Sequence, residues 1–179
     1  MLGGFSLQYR DKVIDYQKSR SHKLWLILEY LITFRDKDIT QDELINLLWG
    51  DEFTENPANT LKTLLHRLRS MLNELEFAPS KEMVLYNHGV YAWNNNLECV
   101  IDTEQFMHFC ELGDETDNPE EKITHYMRAL EYYKGDFLPK SSLEPWVVSI
   151  STYYHSEYLR LVHICVALLK DAKRLYEVI

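Results

Sequence analysis

Hydrophobic residues recur at three- and four-residue spacing between Asn56 and Leu72, which predicts an amphipathic helix. The apolar stripe that would face the core consists of Leu61, Leu64, Leu65, Leu68 and Leu72. The polar positions on the opposite face are Asn59, Lys62, Thr63, His66, Arg67 and Ser70. Asn56 is a favourable N-cap and Pro57 suits the first helical position, so the start of this helix is well defined.

The chain before this helix contains three shorter patterned segments. Apolar and polar residues alternate from Phe5 to Tyr16 around a polar turn at residues 10–12, which predicts a β-hairpin. Helical periodicity follows from a cap at Ser19 to about Phe34. Next, Thr40 and Glu43 have the spacing of a capping box, and the helix that they begin should end at Gly50.

A second hairpin is predicted after Leu72. Two runs of β-branched and aromatic residues, 83–86 and 90–93, flank the turn Asn87-His88-Gly89. Strands, three helices and a closing hairpin, in this order, are typical of a winged helix-turn-helix, an α+β fold.

From Ile101 onward only helical patterns occur. Asp102 would cap a helix to about Leu112, Asn118 with Pro119 would begin one that ends at Gly135, and Pro145 would begin a long third helix. Helix pairs of this size are typical of TPR-like repeats. We therefore expect a winged-helix domain over residues 1–97 and an all-α, TPR-like helical-repeat domain over 98–179, truncated at its C-terminus.

Charge is distributed unevenly between these two parts. The chain of 179 residues has a formal net charge of −9. Residues 1–97 hold 11 basic and 13 acidic side chains, whereas residues 98–179 hold 8 and 15. Because attraction between charges in solution is screened beyond about 8–10 Å, a local basic face in the first part can still bind a polyanion.

Composition excludes several classes of protein. With 46% hydrophobic and 13% aromatic residues the chain is not a disordered tail, and no apolar run reaches the roughly 20 residues of a membrane span. No secretory signal is evident, so a cytoplasmic protein is expected. Cys99, Cys110 and Cys165 are scattered, which favours buried structural thiols over a metal or redox site.

Catalytic motifs are missing as well. The six glycines are scattered and form no phosphate-binding loop, and His155 and His163 are eight residues apart, unlike the four-residue pair of zinc enzymes. We expect neither an enzyme nor a cofactor or metal site.

The helix at residues 56–72 is basic in an acidic protein. It contains Lys62, Arg67 and Arg69 and no acidic residue. Its outward face has the composition of a helix that reads DNA in the major groove, although solvated surface arginines are the alternative interpretation. Double-stranded DNA is therefore the expected partner. Since one copy should bind with modest affinity, tandem or homodimeric binding is expected.

Several segments resemble the DNA-binding half of SARP-type antibiotic regulatory proteins, which use an OmpR/PhoB-type winged helix. They are Leu2-Gly3-Gly4-Phe5, Ser19-Arg20, Glu43-Leu44 with Leu48-Trp49, Leu65-His66-Arg67-Leu68-Arg69 with Leu72, and Gly89-Val90-Tyr91. The bacterial transcriptional activation domain that follows in this family is resembled by Ile101-Asp102 with Phe106, by residues 129–138, and by Pro145-Trp146 with Leu159.

The resemblance implies a bacterial transcriptional activator that binds repeated promoter sites and recruits RNA polymerase. In winged helices of this class the arginine of the His-Arg-Leu-Arg segment faces bases, so Arg67 is assigned a base contact, with guanine as its natural partner. Thr63, one turn earlier, is placed to touch a thymine methyl group. The residues expected to contact phosphates are Asn59, Lys62, His66 and Arg69.

The wing and two flanking segments are further candidates for contacts. Asn87 and His88 form the wing tip, which departs from the family because a basic residue and two glycines are common there. Arg20 and Lys23 belong to an acid-free cluster that either touches phosphate or is merely solvated. The residues of the acidic loop that could contact polymerase are Asp51, Glu52 and Glu55, with a plain polar connector as the equal alternative.

Aromatic residues are concentrated in the second part. They are Tyr126, Tyr132, Tyr133, Trp146, Tyr153, Tyr154 and Tyr158. Packing between helices is the expected role of these rings, and a groove for a ligand or partner is the alternative.

A second function of a different class is consistent with the sequence. The chain could be a protein-interaction scaffold whose winged helix no longer binds DNA and whose helical repeats bind a partner. The acidic second part and the weakly basic wing favour this alternative, and the acid-free helix disfavours it.

Overall fold

The computed structural model describes residues 1–50 and 52–171, and the chain divides into two compact units. The N-terminal unit is Phe5–Glu98. The helical unit combines Met1–Gly4 with the described residues from Cys99 onward. The expected boundary after residue 97 lies next to the observed one, but the first four residues do not belong to the winged-helix unit as the sequence suggested.

Backbone pairing explains where the first four residues lie. Leu2 forms an antiparallel bridge with Phe137, and the Gly3 N–H donates to the Asp136 carbonyl at 2.9 Å. Leu2 and Phe137 are both buried, so this pairing adds apolar area to the core of the helical unit.

The predicted first hairpin is present. Strand β1 (Ser6–Tyr9) pairs antiparallel with β2 (Lys12–Asp15), and Ile14 of β2 is buried. The intervening turn places Arg10 at a φ of 55°.

Three helices follow, and their caps match the sequence only in part. Helix α1 (His22–Thr33) begins two residues later than a cap at Ser19 would require, and its N-cap is Ser21. Ser19 instead accepts a hydrogen bond from the indole of Trp25 on its carbonyl, at 2.8 Å. Helix α2 (Gln41–Trp49) is capped by Thr40, whose hydroxyl accepts from the Glu43 N–H.

The capping box at the start of α2 is incomplete. The Glu43 carboxylate accepts a hydrogen bond from the Tyr30 hydroxyl of α1 at 2.8 Å and so contributes to a contact between two helices. Gly50 ends α2 with a φ of 52°, as predicted, and its N–H donates to the Asn46 carbonyl.

Helix α3 (Pro57–Leu72) is the amphipathic helix that the sequence predicts. The Asn56 side chain accepts a hydrogen bond from the Asn59 N–H at 3.1 Å, and Pro57 occupies the first turn. After α3 come a 3-10 turn (Asn73–Leu75) and a short helix α4 (Ser80–Met83), neither of which the sequence pattern indicated.

The wing is a hairpin of β4 (Val84–Asn87) and β5 (Val90–Trp93), to which β3 (Ile39–Thr40) adds an edge, in the order β3-β5-β4. His88 and Gly89 both have positive φ values, as a two-residue type I′ turn requires. The N-terminal unit is therefore a winged helix with α3 as its third helix.

The helical unit contains α5 (Asp102–Glu115), α6 (Pro119–Tyr132) and α7 (Pro145–Asp171). Helix α5 extends three residues beyond the predicted end at Leu112, and α6 ends three residues before Gly135. Asp102 is the first residue of α5, not its cap; the cap is Ile101. An all-α second part is thus confirmed.

Most of the aromatic residues of the helical unit take part in packing. Tyr126 is buried, Tyr154 packs against Phe106 and Phe137, and Tyr133 stacks on Tyr158 with ring centroids 4.3 Å apart. Tyr153 is 49% exposed, although its ring also lies against that of Tyr154, with centroids 5.5 Å apart. Packing between helices, the expected role, is therefore the main one.

Two of the three cysteines are buried as expected. Burial raises the pKa of the Cys110 thiol to about 12 and that of Cys165 to about 11. Cys99 is exposed, because it lies in the irregular segment between β5 and α5 and not on an element that packs.

None of the described helices combines the length and the apolar character that a membrane span requires.

Candidate nucleic-acid interface

Helix α3 is held in the N-terminal unit by a continuous apolar stripe. Its buried residues are Leu61, Leu64, Leu65, Leu68, Met71 and Leu72. They pack against α1 and α2, whose facing residues such as Leu28 and Leu44 are fully buried. Because one face of α3 is fixed in this way, the orientation of its opposite face is determined as well.

The opposite face of α3 is open. The predicted contact residues on it that are exposed are Asn59, Lys62, Thr63, His66 and Arg67. Within residues 1–50 and 52–171, no carboxylate lies within ion-pair distance of Lys62 or Arg67. In the described part of the chain, neither cation is therefore neutralised by an ion pair.

The hydrogen bonding of Thr63 favours an apolar contact with its side chain. Its hydroxyl donates to the Asn59 carbonyl one turn earlier, at 3.1 Å. With that proton used inside the helix, the methyl group is the part of the side chain suited to a thymine methyl.

Arg69 is placed differently from the other predicted contacts. It is only partly exposed, and its Nη2 donates to the Val84 carbonyl of β4 at 2.9 Å. Its Nε is buried and has no hydrogen-bond partner within the described part of the chain. The phosphate contact of Arg69 thus stays a prediction, while the structure gives this residue a second role, which is to join α3 to the wing.

The wing tip is exposed but carries little charge. Asn87 and His88 hydrogen-bond to each other through Oδ1 and Nδ1. Gln41 at the start of α2 donates its N–H to the Gly89 carbonyl at 2.8 Å, which fixes the turn. The wing is therefore well positioned but adds no permanent cation at its tip.

The flanking candidates Arg20 and Lys23 differ in their surroundings. Arg20 is exposed, whereas the Lys23 ammonium lies 4.8 Å from the Trp49 ring centroid and 3.7 Å from the Glu52 carboxylate. A phosphate contact by Lys23 would have to compete with these two partners. The contacts of Arg20 and Lys23 remain predictions.

The loop between α2 and α3 is an exposed acidic segment. Glu52 and Glu55 are exposed, and Phe53 between them is 94% exposed. Asp51, the third predicted polymerase contact, lies outside the described residues. The sequence reasoning did not single out Phe53, although a large apolar residue between acidic neighbours was a visible signal.

A cavity of about 590 Å³ lies beside α3. Its lining combines predicted residues such as Lys62, His66 and Arg69 with two that sequence reasoning missed, Lys81 of α4 and Tyr86 of β4. No sequence pattern placed α4 beside α3, so nothing in the sequence connected Lys81 to the candidate interface.

Comparison with known families identifies the class of the N-terminal unit. Residues 17–90 match the family described as transcriptional regulatory protein, C terminal. The match runs from just before α1 to the start of β5 and so includes α3 and the wing turn. Residues 17–90 are therefore similar to the C-terminal domain of transcriptional regulatory proteins, and in this chain they lie in a winged helix.

Particular relatives share this domain. The response regulator protein GraR from two strains of Staphylococcus epidermidis is 39% identical over 71 residues, which are 40% of this chain and 30% of GraR. The chain thus spans less than a third of the length of these curated relatives.

A solved structure, that of Mycobacterium tuberculosis EmbR in complex with a low affinity phosphopeptide, matches with a TM-score of 0.75. The match covers 97% of this chain and 45% of the EmbR chain at 14% sequence identity, so the likeness is one of fold.

Proposed function

We propose that this protein is a sequence-specific transcriptional activator whose N-terminal unit reads DNA through α3. The observation that carries the proposal is the uncovered, cationic face of α3, on which Thr63, His66 and Arg67 are all exposed. A helix of this kind on a winged-helix scaffold enters the major groove with its exposed face toward the base edges.

Roles follow from the chemistry of each side chain. Arg67 contacts a base, with guanine preferred because its O6 and N7 accept both hydrogen bonds of a guanidinium. Thr63 reads a neighbouring thymine. The contacts that fix register on the phosphates come from Asn59, Lys62, His66 and Arg69.

Activation and partner recruitment are assigned to other parts of the chain. The exposed segment with Glu52, Phe53 and Glu55 is the candidate contact for RNA polymerase, since an apolar ring between carboxylates suits a basic protein surface. The helical unit couples this contact to regulation. Binding as a homodimer to repeated promoter sites would compensate for the modest affinity expected of one copy.

The test begins with selection of duplexes from a random pool by the purified chain, which should enrich a direct repeat. On the selected duplex, Arg67→Ala is expected to weaken binding by about 1–3 kcal/mol and to relax the preference at one base pair. A promoter bearing this duplex should be activated by the parent protein and not by the Arg67→Ala variant.

Arg128→Ala is a matched control, because Arg128 is an exposed arginine on α6 and its loss changes the net charge equally. Equal binding by the Arg67→Ala and Arg128→Ala variants would show that the assignment of α3 to the major groove is wrong. Failure of the parent to enrich any duplex would favour the protein-interaction scaffold.

A further inference from the structure

The cavity of about 590 Å³ in the N-terminal unit is a groove between α3 and the segment that contains α4 and β4. Lys62, His66 and Ser70 are spaced four residues apart on α3 and form one exposed row along it. Lys81 of α4 and Tyr86 of β4 are the exposed residues contributed by the other side.

The base of this groove is apolar. Leu65 and Tyr91, both of which line the cavity, are 2% and 3% exposed. The Tyr86 ring lies against that of Tyr91, with centroids 4.7 Å apart and planes inclined at 36°. Tyr86 itself is 52% exposed, so part of its ring is available to a ligand.

The groove is cationic although the protein is acidic. Among the described residues that line it, Lys62, Arg69 and Lys81 are cations and none is a carboxylate. The two glutamates that follow α3 are paired elsewhere, Glu74 with Lys18 and Glu76 with Lys12. A polyanion is thus the ligand class that the charge of the groove selects.

A hydrogen bond between the two sides of the groove fixes its width. The hydrogen bond from Arg69 Nη2 to the Val84 carbonyl, 2.9 Å long, joins α3 to the strand that carries Tyr86. Arg69 is therefore a positioning residue for the groove in addition to any contact of its own.

We propose that this groove holds the sugar–phosphate backbone of one DNA strand, with Lys62 and Lys81 neutralising phosphates from its two sides and Tyr86 packing against a deoxyribose. The inference rests on the proposed function and adds Lys81 and Tyr86 to the interface. A cationic rim over an apolar base fits a chain in which charged phosphates alternate with apolar sugar edges.

The first experiment measures the affinity of the whole chain for the selected duplex at several salt concentrations. For Lys81→Ala we expect a dissociation constant roughly two- to fivefold higher than the parent's at moderate salt, as for the loss of one exposed ion pair. The dependence of log affinity on log salt should become shallower by about 0.9, and base preference should not change.

Lys37→Ala is the matched control. Lys37 is an exposed lysine of the same unit, and its ammonium lies over the Phe34 ring, away from the residues that line the groove. It should leave both affinity and salt dependence at the parent's values, while Lys81→Arg should restore them.

The second experiment locates the phosphate. Duplexes that carry one neutral methylphosphonate are scanned along both strands, and at one position Lys81→Ala should cause no further loss of affinity. Losses that add at every position would overturn the proposal, because Lys81 would then neutralise no particular phosphate.

An incorrect groove assignment and an incorrect proposed function give different binding results. If Arg67→Ala weakens binding but Lys81→Ala behaves like Lys37→Ala, the groove assignment alone is wrong. If the parent binds no duplex, both are wrong.

A free phosphate ion is the alternative ligand for the same cationic groove. Exchanging chloride for inorganic phosphate at constant ionic strength tests it. It should leave duplex affinity unchanged. If it displaces the duplex from the parent but not from the Lys81→Ala variant, the groove is a site for a free anion and the proposal falls.

Discussion

The carboxylate of Asp114 receives hydrogen bonds from both neighbouring helices of the helical unit. Arg160 of α7 binds it in a bidentate fashion at 2.9 and 3.0 Å, and the Tyr126 hydroxyl of α6 donates to it. Burial alone would raise the pKa of Asp114, but the hydrogen bonds from Arg160 and Tyr126 outweigh it and hold this pKa below its usual value. The ionised form is therefore the one that stabilises the fold.

This arrangement predicts pH-dependent stability. Since the pKa of Asp114 is lower in the folded state, its contribution is present above the ordinary carboxyl range and is lost as pH falls through the lowered value. Asp114→Asn should lower the free energy of unfolding by about 0.5–1 kcal/mol at pH 7, given that the group is half exposed. Urea unfolding at a series of pH values should show this difference shrinking toward acid pH.

Asp117→Asn is the control, because Asp117 is an exposed carboxylate in the link between α5 and α6. It should have no such effect. A difference between the Asp114→Asn variant and the parent that stays constant down to pH 3 would contradict the assigned role.

Among the elements, α3 depends on how it starts as much as on its buried stripe. The Asn56 side chain accepts the Asn59 N–H, and the first turn contains no acidic residue to interact with the positive end of the helix. The cap therefore stabilises the turn that carries Asn59, a predicted phosphate contact.

Replacing this cap should lower the stability of the N-terminal unit. Asn56→Ala is expected to lower the free energy of unfolding by about 1 kcal/mol, because the first turn loses a hydrogen-bond acceptor. Asn56→Ser should retain most of the stability, since a serine hydroxyl can accept the same N–H. Denaturant unfolding followed by circular dichroism distinguishes the two variants, and equal stability of both would show that the cap contributes nothing.

For the molecule as a whole, the two units have separate cores. The N-terminal unit buries apolar residues of α1, α2, α3 and the wing, and the helical unit buries those of α5, α6 and α7. Two separate cores allow each unit to lose stability without the other.

Gly113→Ala tests this independence. A Cβ at Gly113 would overlap the ring of Tyr126, so the substitution should destabilise the helical unit by about 1–3 kcal/mol and lower its thermal midpoint by several degrees. Affinity for the selected duplex below that midpoint should be unchanged. Gly4→Ala is the control in the same unit, because a Cβ there meets nothing within 4 Å. Loss of DNA binding by the folded Gly113→Ala protein would contradict the independence of the units.

Elements with a strong local signal could be predicted from the sequence alone. The register of apolar residues along α3 and its Asn56 cap depend on residues within one turn of each other, and both are confirmed. The wing turn is confirmed for the same reason, since Gly89 supplies a positive φ within a two-residue loop. Helix ends were predicted less well, because α1 begins two residues after the position that a Ser19 cap requires, and α5 and α6 each end three residues from the predicted position.

For the candidate interface, too, the sequence predicts the features that depend on local periodicity. Exposure of Lys62, Thr63, His66 and Arg67 follows from helical periodicity, so the sequence determined this face of α3. Their contacts with DNA are still predictions.

What only the tertiary structure decided is which side chains from distant segments meet. Arg69 lies two residues after Arg67, yet it bonds to Val84 because β4 packs beside that side of α3. Lys81 joins the groove, and Met1–Gly4 join the helical unit, through the same kind of long-range packing. Periodicity describes the two faces of one helix, whereas the neighbours of each face depend on the free energy of packing the whole chain.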